Sequence, residues 1–258
     1  MKIVVLIKRV PDTASVLQLG PDNRSINQDN IKYIINPFDE YAIEEALKIK
    51  ESIGAEVIVM SAGEMACKET IRTAIAMGAD NGVLVHGGGL EFAQSKGISV
   101  VLAAAINKLT PDMVLAGKQA TDDEASQVPE RVAEILGIPH SSSITRVELS
   151  EGKVTVDKEV EGGVFTIEMP LPALLCVQKG VNIPRYPTLP NILKSKKKEI
   201  SEIELSDLGL EIKEIKSGLV IEGLYAPKYE RRNRILDGDC TQKVKTLLDF
   251  LTVEEKVL

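Results

Sequence analysis

Between Asp112 and Pro139 the chain passes without a break through a short apolar run at 113–116, a glycine at 117, a polar loop, and an amphipathic stretch that opens near Ser126. This order is strand, turn, helix. A turn at Gly117 exposes backbone N–H groups across the carboxyl end of the strand, and the helix beyond it aims its own unpaired N–H groups and positive dipole end at the same space. A phosphate fits such a corner. An ordinary βα connection has the same spacing, so the rest of the chain has to decide.

The same rhythm recurs from the amino terminus. Residues 2–8 read as a buried strand closed by Pro11, and residues 40–53 as a helix stopped by Gly54. A strand at 56–61, a helix at 66–77 ended by Gly78, a strand at 82–86 and a helix at 98–109 follow. Alternation of this kind predicts an α/β fold with a doubly wound, mostly parallel, Rossmann-like sheet covered on both faces by helices. Ligands of such sheets collect beyond the carboxyl ends of the strands, where the strand order reverses. After Pro139 the period changes. Segments 143–149, 153–160 and 164–169 predict a short antiparallel meander, and 174–178 one more buried strand. The chain thus divides into an α/β domain with its meander over residues 1–182 and, over 183–258, a loop and extended C-terminal arm that suit either partner recognition or a strap packed on the same subunit. In the second part Pro184, Pro187 and Pro190 are expected to break any helix, residues 205–221 show little period, and residues 242–251 predict a terminal helix.

Composition removes several function classes. Aromatic residues make up 3% of the chain and there is no Trp, which excludes aromatic platforms for single-stranded nucleic acid. A net charge of −7 argues against a general nucleic-acid binder. Cys67, Cys176 and Cys240 are far apart and form no CxxC pair, which fits a reducing compartment. The apolar run at the amino terminus is too short for a signal or membrane segment, so no direct membrane insertion is expected. A bacterial cytoplasm or an organellar matrix fits both points.

Side chains suited to catalysis are scarce. His86 and His140 lack cysteine or carboxylate neighbours at metal-ligand spacing, and the nucleophile-elbow, Walker and zinc-helix motifs are absent. No catalytic residue and no metal site is expected. Asp122, Asp123 and Glu124 would form an acid–base set or metal tripod only with an unusual backbone, so one is expected to cap backbone donors while the others are solvated. Gln119 and Gln127 carry amides able to meet a base edge or a phosphate oxygen. Asn36 and Asp39 precede or open a helix, where both residue types are commonly caps. Residues 184–193 combine exposed apolar groups with proline stiffness and lead into Lys194, Lys196, Lys197 and Lys198. A stiff segment loses little entropy on docking.

Four blocks together give the chain a specific resemblance. They are Lys8-Arg9-Val10 with Asn36-Pro37-Phe38 downstream, ETIRTAIAMGAD at 69–80, VLAGKQATDD at 114–123 and PRYPTLPNILKSKKK at 184–198. The chain resembles the beta subunits of electron-transfer flavoproteins from Met1 to about Lys198. The resemblance implies an adenine-nucleotide-binding fold and a heterodimer with an alpha subunit that holds most of a redox-active FAD. AMP would be a structural ligand in the beta crevice. Its contacts would fall on Leu6, on Asn36, Pro37, Phe38 and Asp39, and on Ala62. The remaining contacts would come from the loop of Gly117, Lys118, Gln119, Ala120, Thr121, Asp122, Asp123, Glu124, Ala125, Ser126, Gln127 and Val128. The arm would dock on acyl-CoA dehydrogenase-type flavoenzymes, with Leu189 as the apolar plug, Pro190 and Ile192 beside it, and the lysines as a charged collar. Electrons would then pass to a membrane quinone oxidoreductase, from a bacterial cytoplasm or a mitochondrial matrix.

The chain also departs from that pattern. Housekeeping members usually carry Thr-Gly where Val128-Pro129 stands, and electron-bifurcating members show GDTAQVGP where this chain has DEASQVPE at 123–130. Asp122-Asp123 and the complete arm favour AMP and a redox carrier without catalytic residues of its own. Val128 and the region around Pro227 lean toward the alternative, an oxidoreductase with a second FAD in the beta crevice and NADH as donor. A free-standing nucleotide-binding regulator of the same fold is a third reading.

Overall fold

The computed structural model describes residues 1–90, 93–226 and 233–257, so Pro227 lies outside the described residues. By their contacts they form two units, one of Met1–Gln18 with Asn27–Ile221 and one of Leu19–Ile26 with Glu222–Leu258.

In the first unit the chain runs β1 (Lys2–Leu6) and β2 (Arg9–Pro11); β3 (Gln18–Leu19) and β4 (Ile26–Asn27), at the two points where the chain passes between the units, pair as a two-stranded ribbon. It continues through β5 (Tyr33–Ile35), α1 (Pro37–Ile53), β6 (Glu56–Ala62), α2 (Cys67–Met77), β7 (Asn81–His86), α3 (Ser95–Leu109), β8 (Met113–Gly117) and α4 (Val128–Leu136). Then come β9 (His140–Ser150), β10 (Lys153–Val160), β11 (Gly163–Pro170), β12 (Ala173–Val177), α5 (Leu189–Lys197), β13 (Ser201–Glu204) and α6 (Ile212–Ile215).

Nine strands form one sheet in the order β11-β10-β9-β12-β8-β1-β6-β7-β13. All neighbours from β9 to β13 are parallel, and β10 and β11 continue from β9 as the antiparallel meander. From β1 the chain moves outward through β6 to β7 and then returns to β8 on the other side of β1. The β1–β8 pair is therefore the switch point.

Alternation along each strand feeds two cores. Ile3, Val5 and Ile7 pack with Ala42, Ile43 and Leu47 of α1 and Ile71 of α2, whereas Val4 and Leu6 pack with Val101 and Ala105 of α3 and Val132 of α4. These strands are apolar on both faces because helices cover both faces. The helix stops are local: Gly54, at φ 72°, adopts the left-handed conformation that ends α1 and donates its N–H to Lys50 O.

The structure departs from expectation in four places. Helix α4 starts at Val128, because Ser126 is left-handed at φ 51° and cannot lie in a helix. Pro190 does not break a helix but sits in the first turn of α5, where a missing N–H costs no hydrogen bond, with the Thr188 side chain accepting from Asn191 N. The strand after Pro139 begins at His140 and serves both sheet types, pairing parallel with β12 and antiparallel with β10. Residues 205–221, which show little period, form a 3-10 turn at Leu205–Leu208 and α6 and bury Leu205 and Ile215, and just before them Ser201–Glu204 adds edge strand β13, which the pattern does not announce.

In the second unit, α7 (Cys240–Asp249) carries a reciprocal cap in which Gln242 N donates to Asp239 Oδ1 at 2.9 Å and Asp239 N to Gln242 Oε1 at 3.1 Å. A wider turn at Phe250–Glu254 follows. Arg234 lies over the Phe250 ring at 4.9 Å and pairs with Glu254 at 3.0 Å. Among the described residues no helix is long and apolar enough to cross a membrane, and no cluster of His, Cys, Asp or Glu is placed to hold a metal ion.

Leu115 is fully buried on the central strand β8. Leu115→Ala should lower the unfolding free energy by about 2–5 kcal/mol, read from urea denaturation.

Candidate functional site

Beyond the carboxyl ends of β1, β6 and β8 lies a cleft of about 490 Å³. Leu6, Ala62 and Gly117 form its floor, Asn36 just before α1 and Asp39 in its first turn add a wall, and the openings of α3 and α4 contribute Ser95 and Val128.

Asp39 holds the floor together. One carboxylate oxygen accepts the Lys8 N–H at 2.7 Å just past β1, and the other accepts the Gly117 N–H at 3.1 Å at the end of β8. Both donors have lost their strand partners there, so a single carboxylate satisfies backbone groups on both sides of the switch point. Its side chain is buried. Burial pushes its pKa up to about 7, against the hydrogen bonds from Lys8, Asn36 and Gly117 that favour the anion. This approach requires glycine at 117: a Cβ there would meet the carbonyl carbon and Cβ of Phe38 at 2.6 and 2.7 Å, as well as the Asp39 carboxylate.

Asn36 fastens the loop that follows β8. Its Nδ2 donates to Gln119 O at 2.8 Å and its Oδ1 accepts Thr121 N at 3.2 Å. The sequence suggests a helix cap, but the Asn36 side chain makes no cap bond to α1 and is spent on this loop. Lys8 closes the far side, with Nζ at 2.8 Å from Asp122 and 3.0 Å from Asp123. Asp123 also accepts Ala125 N at 3.1 Å. Glu124 and Ser126 both have positive φ, at 48° and 51°, which is costly for residues with side chains. Pinning by Asn36 and Lys8 offsets that strain. Gln119 and Gln127 turn to neighbours, Gln119 accepting from Ser126 Oγ at 3.4 Å and Gln127 from Arg131 at 3.2 Å.

Gln127 and Gln94, the residues before α4 and α3, make no side-chain cap bond. Neither side chain caps its helix, and Pro129 aside, main-chain N–H groups at the start of α4 face the cleft, so the arrangement can take an anion without a dedicated cationic side chain. Of the residues expected at the site, Leu6, Asn36, Asp39, Ala62, Gly117, Gln119, Ala120, Asp123, Ala125, Ser126, Gln127 and Val128 line the cleft. Pro37, Phe38, Lys118, Thr121, Asp122 and Glu124 do not line it; Lys118 instead donates its N–H to Val177 O. The sequence reading omitted Lys8 as a site residue and the α3 opening at Gln94, Ser95 and Ile98. The Gln94-Ser95 pair, a polar start to a helix after a strand, carries the same signal that marked Ser126. In the arm, Leu189 and Pro190 are exposed at the start of α5, Ile192 is half-buried, and Lys194, Lys196, Lys197 and Lys198 are exposed.

Residues 24–208 match the family model for the electron transfer flavoprotein domain, and the whole chain aligns at 36% identity with all of the electron transfer flavoprotein subunit beta of Bacillus subtilis. The chain belongs to the electron-transfer flavoprotein beta-subunit family. A relative of the same name from Sus scrofa is 41% identical over 82% of this chain and 84% of its own length. Another, from Syntrophomonas wolfei, is 43% identical over 78% of this chain and 79% of its own. The match of the electron transfer flavoprotein domain spans β4 to the 3-10 turn at Leu205–Leu208, and so takes in the cleft apart from the segment of Leu6 to Lys8.

Replacing Asp39 by Asn presents an amide donor to one of two backbone donors. Asp39→Asn should cost about 1–3 kcal/mol for the orphaned N–H. Because the folded pKa of about 7 lies above the ordinary 3.8, the folded state holds the extra proton between these values. Stability linked to Asp39 is complete below pH 3.8 and is lost as pH rises through about 7. The wild type should show this fall and Asp39→Asn should lack it, as measured by urea midpoints from pH 4 to 8.

Proposed function

We propose that this chain is the beta subunit of a heterodimeric electron-transfer flavoprotein, with AMP in the cleft at the β1–β8 switch point and an alpha subunit that carries most of a redox-active FAD. FAD, when bound, takes up and releases electrons one or two at a time. The beta chain performs no bond chemistry. Asp39, Asn36 and Lys8 hold the walls in place, and the first turn of α4 offers main-chain donors to a phosphate. Electrons enter from an acyl-CoA dehydrogenase-type flavoenzyme docked around Leu189 and leave to a membrane quinone oxidoreductase. The pair would work in a bacterial cytoplasm or a mitochondrial matrix; one relative, from Arabidopsis thaliana, carries "mitochondrial" in its name.

The observation that carries the choice of ligand is the cleft. Its donors are main-chain groups at a helix start, its floor is closed by Gly117 against Asp39, and its volume of about 490 Å³ lies toward the lower end of the roughly 300–1,000 Å³ of small-molecule sites. That suits a mononucleotide better than a dinucleotide. Val128 favours the second reading, a bifurcating flavoprotein with a second FAD here and NADH as donor.

Nucleotides released from the purified heterodimer by acid should amount to one FAD and one AMP. Two FAD without AMP would move the chain to the bifurcating class, and a stable monomer that binds AMP unaided would make it a free-standing regulator. Leu189 is 70% exposed. Leu189→Ala should lower kcat/KM for reduction by the dehydrogenase about thirtyfold, the loss of an interface anchor worth about 2 kcal/mol, with FAD content unchanged.

A further inference from the structure

One residue carries the hydrogen bonds of segment 183–187 at the root of the arm. Pro184 and Pro187 have no N–H to give, and Ile183 and Tyr186 are 89% and 93% exposed. Among the described residues, the hydrogen bonds that tie 183–187 to the rest of the first unit all come from Arg185. Its backbone N–H and Nε donate to Glu44 Oε2 at 3.1 and 2.8 Å, and Nη2 donates to Glu44 Oε1 at 2.9 Å. Nη1 and Nη2 also reach the two oxygens of Glu51 at 2.5 and 3.2 Å. Glu44 and Glu51 lie two turns apart on one stripe of α1, and the Glu44 side chain is 8% exposed. Asn182 adds bonds to Tyr41 O and Glu45 at 3.0 and 2.9 Å just before this point.

A planar fork that bridges two carboxylates on a rigid helix fixes both the position and the orientation of its own backbone. The flanking prolines restrict the dihedrals on either side, so one anchor sets the course of the whole segment up to the Thr188 cap of α5. We propose that Arg185 is a positioning residue for partner docking: by clasping Glu44 and Glu51 it holds residues 183–189 in one pose, presenting Tyr186 and Leu189 already ordered to the incoming flavoenzyme. The proposal rests on the reading that this arm docks a dehydrogenase. Preorganisation of this kind lowers the entropy cost of association and leaves the electron-transfer step untouched.

Arg185→Lys keeps a charge beside Glu44 but replaces the planar fork by a single ammonium, which cannot reproduce the paired bonds to both oxygens of Glu44 and of Glu51. The double variant Arg185→Gln with Glu44→Gln removes the fork without leaving a buried carboxylate unpaired. In the heterodimer, both should speed hydrogen exchange about tenfold or more at the amides the clasp holds, those of residue 185, bonded to Glu44, and of Asn191 and Ile192, bonded to Thr188, while amides of α1 and the central sheet stay unchanged. With an acyl-CoA dehydrogenase kept reduced by octanoyl-CoA, KM for the heterodimer should rise roughly three- to tenfold with kcat unchanged. Leu189→Ala should cost less in the Arg185→Lys background than alone, because the two act on one docking event. If Leu189→Ala raises KM and Arg185→Lys changes neither exchange nor KM, the clasp is overturned and the docking arm survives. Faster exchange in α1 together with a fall in kcat would make Arg185 a fold residue and overturn the proposal. If Leu189→Ala has no effect on transfer while Arg185→Lys still loosens the arm, the docking reading fails and takes the proposal with it.

Discussion

A buried carboxylate joins two strands that are far apart in the chain. Asp39 accepts backbone N–H groups just past β1 and at the end of β8, and the cleft exists because those two strand ends are held at that spacing. The requirement spreads outward. Gly117 has to lack a side chain for the carboxylate and Phe38 to approach, and α1 has to start at Pro37 so that Asp39 sits in its first turn. Asn36, one step earlier, is thereby placed to fasten the loop beyond Gly117. The switch-point topology supplies the crevice, but this small hydrogen-bonded cluster gives it fixed walls.

How much of this was legible follows from the range of the forces involved. The strands and helices of the first unit are written in local period, so the apolar runs at β1, β6 and β8 and the glycines at 54 and 78 declare themselves. The short edge strand β13 does not, because a strand with one half-buried apolar residue, Ile203, has little pattern to show. Pro190 misled for a different reason: proline stops a helix from within and starts one equally well, and only the Thr188 cap decides between them. At the site, the turn at Gly117 and a helix start beyond it could be read from the sequence. The role of Asn36 could not. Its partners Gln119 and Thr121 are 83 and 85 positions away, and a residue type that caps helices gives no sign that its amide is committed elsewhere.

The two ends of α1 do different work. Its first turn closes the cleft through Asp39, whereas Glu44 and Glu51 farther along receive the arm through Arg185. The middle is packed into the core on the face shared with α2, by residues such as Ile43 and Leu47. The helix is thus a rigid mount to which both the cleft and residues 183–187 are bolted by charged or amide side chains, with apolar packing holding the mount itself.

The left-handed backbone at Glu124 and Ser126 has one more consequence. Because the loop is held in shape by Asn36 and Lys8 rather than by what its own side chains prefer, the donors it shares with α4 belong to the main chain and come with the fold. Selectivity is left to the rim. On the proposed reading, in which the cleft takes an adenine nucleotide, a few side-chain changes around Val128 would exchange one guest for another without rebuilding the pocket, so that a passive structural ligand and a working cofactor become neighbouring solutions on a single scaffold.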